Sequence, residues 1–216
     1  MGQYYKPIAI KNGKGQFLYS HDYASGLKLM EHSYLKNNFV RAFETLITDN
    51  PSIVVWAGDY ADKEKTKSPF FNEEYLKQTR KYYKVKAKER GEEKTNLSIE
   101  RCGNNLYNLC FQEGYEDKFG GLFFDQVKPK PAAKNCQYIV NNTTKQFVDI
   151  KHCPKVKDGY TVHPLPLLTC EGNGRGGGDY GLENKYVGTW ARNEIYVSNT
   201  KPENYTELKP DFKLDW

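Results

Sequence analysis

Residues 8–19, IAIKNGKGQFLY, align without gaps on residues 138–149, YIVNNTTKQFVD, at a shift of 130. Asn12 meets Asn142, and Gln16-Phe17 meets Gln146-Phe147. A second anchor follows in the same order, because IVVWA at 53–57 aligns on VGTWA at 187–191 at a shift of 134. One matching hairpin is easy to obtain by chance, whereas two anchors at nearly one shift point to an internal repeat. The repeat predicts an α+β fold with mainly antiparallel sheet and a pseudo-two-fold, built from two hairpin-plus-strand units. It divides the chain into repeat A (1–62), a charged, mostly helical insert (63–135) and repeat B (136–216), the three forming either separate units or one continuous domain.

The local signals agree with that division. YKPIAI and QFLYS flank an Asn-Gly turn, which reads as a hairpin over 5–20, and CQYIV and KQFVDI flank NNTT as a second one over 136–150. Asn38 reads as the cap of a helix through FVRAFETLI, where Phe39, Phe43, Leu46 and Ile47 share one face before Pro51 stops it. Ile53–Ala57 reads as a buried strand. Residues 104–115 read as a short helix, the region of Gly120, Pro129 and Pro131 as loop, and YVGTWA, NEIYVS and the tail YTELKPDFKLDW as strands. Repeat A spends its connection on the helix at 38–48 and repeat B on HPLPLLTCEGNGRGGGDYG, so 163–181 is the expected asymmetric part.

Aromatic residues make up 14% of the 216-residue chain, 17 of them Tyr, which is the composition of an ordered domain with a core and surface rich in ringed side chains. No apolar run approaches the roughly 18 residues of a membrane span, and no signal sequence precedes the first hairpin, so a cytoplasmic protein without a membrane partner is expected. The five cysteines, Cys102, Cys110, Cys136, Cys153 and Cys170, are odd in number and form no CxxC pair, which favours reduced thiols over disulfides or structural zinc.

The segments MGQYYK, GLKLMEH, WAGDYAD, VNNTTKQFVD, GNGRGGGDY and VGTWA resemble segments of a loosely defined set of small proteins encoded by phages, large DNA viruses and some bacteria. The resemblance lies mostly in the two repeats. It implies a viral or mobile-element setting, inside the host cell if the chain is viral, and brings no assigned activity, cofactor or catalytic residue.

Three groups of residues carry candidate chemistry. Residues 170–190 hold seven glycines, and within them Gly172, Asn173, Gly174, Arg175, Gly176, Gly177, Gly178, Asp179 and Tyr180 form a stretch whose backbone amides can face an anion, with Arg175 adding a two-pronged donor. The stretch matches neither GxGxxG before a helix nor GxxxxGK[ST], and a long hairpin loop is its plainer reading. Residues 63–95 carry eleven Lys and Arg against six Asp and Glu, an excess equal to the +5 of the whole chain. In their expected helix Lys77, Arg80, Lys81, Lys84, Lys86, Lys88 and Arg90 alternate with Tyr82 and Tyr83, either as a nucleic-acid contact or as a solvated face. Asp22, Asp59 and Asp179 each precede a Tyr, and if they converge they would suit Mg or Mn. His32 and His163 are the candidate acid–base groups beside them, although isolated histidines are more often structural.

No complete catalytic set is present. The expectation is a non-enzymatic binding protein, a virus-encoded factor acting on a host component, which uses the glycine-rich loop and the basic helix to bind an anionic ligand: a nucleotide, nucleic acid or an acidic protein surface. No cofactor belongs to that reading. The alternative is a metal-dependent hydrolase of phosphate esters using Asp22, Asp59 and Asp179 with Mg or Mn.

Overall fold

The computed structural model describes residues 3–12, 14–62, 105–110, 124–155, 159–172 and 184–212. The basic helix expected at 72–90, and 173–183 of the glycine-rich stretch, lie outside the described residues. The strands are β1 (Tyr5–Lys11), β2 (Lys14–Phe17), β3 (Ser52–Gly58), β4 (Phe124–Gln126), β5 (Tyr138–Asn141), β6 (Gln146–Asp149), β7 (Cys170–Glu171), β8 (Glu194–Ser198) and β9 (Thr206–Glu207). The helices are α1 (Leu29–His32), α2 (Asn38–Ile47), α3 (Leu106–Leu109) and α4 (Pro164–Thr169). Among the described residues, no helix is long and apolar enough to cross a membrane.

The fold is α+β. Among the described residues one nine-stranded sheet runs β4-β2-β1-β3-β8-β5-β6-β9, with β7 pairing β3 off this path. Three pairings, β2 with β4, β3 with β7 and β6 with β9, are parallel, so the sheet is mixed where the sequence predicts a mainly antiparallel one. Hairpins announce themselves through their turns. Parallel neighbours are joined by long excursions that leave no local mark, and β4 falls where the sequence reads as loop.

The strand order has the same relations from either end. Each half contains a hairpin, an inner strand antiparallel to the hairpin's first strand, and a short outer strand parallel to its second. The outer strands run on alike: Val127 donates its N–H to the Phe17 carbonyl at 3.0 Å and Leu208 to the Phe147 carbonyl at 2.7 Å, and a Lys-Pro pair follows each. The helices also correspond, for Cys170 after α4 bridges Trp56 of β3 in parallel, and Thr48 after α2 bridges Val197 of β8 in parallel.

The residue correspondences differ from the gapless alignment. Lys11 pairs Lys14 in the first hairpin and Asn141 pairs Gln146 in the second, so the second turn is two residues longer. Asn12 fits the tighter turn at φ 51°, a region Asn tolerates. Phe17 pairs Ile8 and Phe147 pairs Val140, and the strand that lies antiparallel to β5, as β3 does to β1, is β8 and not YVGTWA. Trp190 does not hold the strand position that the gapless alignment gives it. It lies in turns rather than a strand, after Gly188 at φ 71°, where the N–H groups of Gly188 and Trp190 bind the carbonyls of Leu167 and Leu168 in α4.

Two further expectations are corrected. HPLPLLT, read as part of repeat B's connection, contains a helix: Pro164 occupies the first helical turn, where its missing N–H costs nothing, and His163 caps α4. The cap of α2 is Asn37, whose Oδ1 accepts from the N–H groups of Phe39 and Val40, with Asn38 already helical.

Strand alternation divides the core between the two faces of the sheet. Tyr5, Ala9, Val54 and Trp56 face one way and pack with Phe39, Phe43 and Ile47 of α2 and Leu165, Leu167 and Leu168 of α4. Ile8, Ile10, Phe17, Val55 and Ala57 face the other way and pack with Leu106 and Cys110 of the α3 segment. β1 and β3 are thus buried on both faces. Among the described residues, the chain that covers the second face comes from the 63–135 insert.

Candidate functional site

β3 and β7 run side by side in parallel, Trp56 opposite Cys170 and Ala57 opposite Glu171, and reach their carboxyl ends at Gly58 and Gly172. The chain enters the insert after β3 and the glycine-rich stretch after β7. Both glycines are dictated by packing. A Cβ on Gly58 would strike the Glu171 carbonyl oxygen, and one on Gly172 would run into Gln3 Oε1 and the Tyr5 hydroxyl. The Tyr5 hydroxyl donates to Gln3 Oε1 at 2.7 Å beneath them. Glu171 is tied by both carboxylate oxygens to the Arg192 guanidinium, and the Arg192 N–H in turn donates to the Val54 carbonyl at 2.9 Å.

Asp59 extends this end. Its N–H donates to the Tyr4 carbonyl and its Oδ1 accepts the Tyr4 N–H, both at 3.0 Å. Asn105, just before α3, donates its side-chain amide to the carbonyls of Asp59 at 2.9 Å and Ala61 at 3.1 Å, so the described part of the insert returns to the place where the insert departs. Tyr4 and Tyr60 remain largely exposed on either side of Asp59.

Asp22 sits elsewhere, at the outer edge beside β4. Its Oδ2 accepts from Gln126 Nε2 at 3.0 Å and its Oδ1 pairs with Lys128 Nζ at 3.4 Å. Among the described residues no group of three or more His, Cys, Asp or Glu assembles into a metal-sized cluster. Asp179, together with Asn173, Gly174, Arg175, Gly176, Gly177, Gly178 and Tyr180 and the basic-helix residues Lys77, Arg80, Lys81, Lys84, Lys86, Lys88 and Arg90, lies outside the described residues.

Both candidate histidines are core residues with both nitrogens engaged. His32, fully buried, donates Nδ1–H to the Gly26 carbonyl at 3.0 Å and accepts the Trp56 indole N–H on Nε2 at 2.9 Å. Burial lowers its pKa to about 4, which keeps it neutral. His163, also fully buried, accepts the Leu165 N–H on Nδ1 at 3.3 Å, leaving Nε2 to donate to Glu44 Oε1 at 3.1 Å. Neither offers a nitrogen to a substrate, so the acid–base assignment gives way to a structural one.

Sequence reasoning passed over two buried charge-bearing residues. Glu44 is fully buried on α2, joined to His163 and to Asn135 Nδ2 at 2.8 Å. Its position four residues after Val40 and three before Ile47 was the available signal. Lys6 is the other. It shares the inward parity of Ile8 and Ile10 on β1, is 5% exposed, and donates to the Cys110 carbonyl at 2.7 Å. Its nitrogen lies 4.3 Å from the centre of the Tyr107 ring. Burial holds its amine below the ordinary lysine value.

No protein-family model, no curated protein and no solved structure matches this chain.

Proposed function

We propose that the chain is a non-enzymatic binding protein for an anionic ligand, with its site at the carboxyl ends of β3 and β7. One observation carries this reading: the glycine-rich stretch and the basic insert both start from one point, where Gly58 and Gly172 leave no room for a side chain and Asn105 brings the insert back. Ligands of α/β sheets collect at the carboxyl ends of parallel strands, and here the two segments richest in anion-binding character leave from such ends. Arg175 and the amides of 172–180 would hold the anionic group, and Lys77, Arg80, Lys81, Lys84, Lys86, Lys88 and Arg90 would extend the contact over a longer polyanion.

The ligand class is a nucleotide, a nucleic acid or an acidic protein surface. The viral setting, and with it a host component as target, rests on the resemblance alone. We also read the two halves as an internal duplication. Its support is the strand order, the matched outer strands with their Lys-Pro continuations, and the α2–Thr48 and α4–Cys170 correspondence, in the register of β3 with β8.

The test is titration of ATP and of a labelled single-stranded oligonucleotide, each between about 50 and 200 mM salt. Affinity for one of them, weakened by Arg175→Lys and by Gly176→Ala with little change in melting temperature, is the expected result. Wild-type protein that binds neither, or variants that unfold while Arg175→Lys binds normally, would overturn the reading.

A further inference from the structure

Among the described residues Lys6 is the one charge-bearing side chain buried with the second core, and the short segment 105–110 covers it. Cys110 supplies the carbonyl at 2.7 Å and Tyr107 the ring face at 4.3 Å, both from the 105–110 segment, while Phe17 of β2 lies at 5.8 Å from the nitrogen. Among the described residues no carboxylate pairs with it. An ammonium has three donors and a full charge, and one carbonyl with two ring faces replaces only part of the hydration it gives up when the segment closes. The neutral amine loses far less and can still donate to Cys110.

We propose that the 105–110 segment is a proton-linked cover on the sheet, which closes over Lys6 with release of a proton and opens with uptake of one. The titratable groups facing Lys6 are the Cys110 thiol and the Tyr107 phenol, with Asp59, Tyr19 and Tyr4 around Tyr107. Burial pushes the thiol up to about 12 and the phenol above its usual range, and the desolvation of the amine outweighs the opposing pull of the Cys110 thiol. From β3 the neighbour across the strand pair is Ala57, and from β2 it is Phe17. The sign follows from the amine being lowered in the closed state: the open state binds more protons, so opening is favoured as pH falls and suppressed as pH rises towards the ordinary lysine value. Asn105 ties the same segment to Asp59 and Ala61, so opening would free the insert at the carboxyl end of β3. That this regulates ligand binding rests on the function proposed above, but the cover itself does not.

The cover has a built-in reporter. Cys110 belongs to it and is buried against the sheet, while Cys170 is buried in the core on the opposite face, so local opening exposes Cys110 and leaves Cys170 covered. Native protein without ligand is labelled with iodoacetamide from pH 7 to 10 and the two thiols are followed by peptide mass. The ratio of Cys110 to Cys170 labelling should fall as pH rises, by up to about tenfold per pH unit between the lowered and the ordinary lysine values. Lys6→Met should abolish the slope, and Lys6→Arg, charged throughout, should label rapidly at every pH. A flat ratio in the wild type overturns the proposal whether or not the variants fold, as does a slope that persists in Lys6→Met. Loss of anion binding with the slope intact would count against the proposed function and not against the cover.

Discussion

The indole N–H of Trp56 on β3 donates to Nε2 of His32 at 2.9 Å, and both rings are fully buried. The Gly26 carbonyl holds the other imidazole nitrogen, and Phe39 of α2 stands edge-on to both rings. A polar contact thus sits inside an aromatic cluster and fixes how α1 and α2 meet the sheet.

Trp56→Phe keeps most of that apolar contact and removes the donor. It leaves a buried imidazole nitrogen without a partner, which costs about 1–3 kcal/mol. Urea unfolding at pH 7 measures it, and a loss below about 0.5 kcal/mol would mean that packing, not the hydrogen bond, holds the cluster.

The same histidine makes the fold acid-sensitive. Its pKa is about 4 in the folded chain against an ordinary value of 6.5. The unfolded state therefore binds the extra proton between those limits. Stability is complete above pH 6.5 and declines as pH falls towards 4, by roughly 3 kcal/mol in all. The pH dependence of wild-type unfolding should exceed that of His32→Gln in this window, and equal slopes would refute the assignment.

Glu44→Leu strips the acceptor from His163 Nε2 and from Asn135 Nδ2 at once. Breaking such a buried network should cost about 3 kcal/mol or more, against roughly 1 for an exposed helical Glu. Thermal melts of Glu44→Leu, His163→Phe and the double variant would show non-additivity, because the second change removes a group that the first has orphaned.

The two glycines at the carboxyl ends of β3 and β7 should differ in tolerance. The Cβ of Gly58→Ala meets a backbone carbonyl that paired strands hold in place, whereas Gly172→Ala meets the ends of the Gln3 and Tyr5 side chains, which can rotate away. Gly58→Ala should lose about 1–3 kcal/mol and Gly172→Ala distinctly less, by equilibrium unfolding.

Thiol chemistry offers a simple count. Burial pushes Cys110, Cys153 and Cys170 up to about 12 and raises Cys136 as well. At pH 8 the native chain should show at most one fast thiol towards Ellman's reagent, and all five after denaturation.

The parts of the fold that were legible in sequence are those with short-range signals. Asn12 announced the first hairpin, the spacing of Phe39, Phe43 and Ile47 announced α2, and the apolar run from Ile53 to Ala57 announced β3. What escaped depends on long-range pairing: the strand at Phe124–Gln126, read as loop, and the parallel pairing of β4 with β2 and of β9 with β6, while Trp190-Ala191, read as part of a strand, lies in a turn. For the candidate site, the sequence singled out Asp59 and Gly172, which lie at one end of the sheet, and it offered His32 and His163 an acid–base role beside the commoner structural one; burial, not residue type, decides what a histidine does. Lys6 went unseen because a lysine in a strand reads as solvent-facing until something covers it.

The Lys-Pro pairs that follow β4 and β9 also bear on solubility. The strand path ends at these two segments, three and two residues long. In each, Pro129 or Pro210 lacks the N–H that an incoming strand would bind, beside a lysine whose desolvation repels it. An open sheet margin can template the addition of further strands, and the same Lys-Pro pair opposes this beyond the last described strand at either margin.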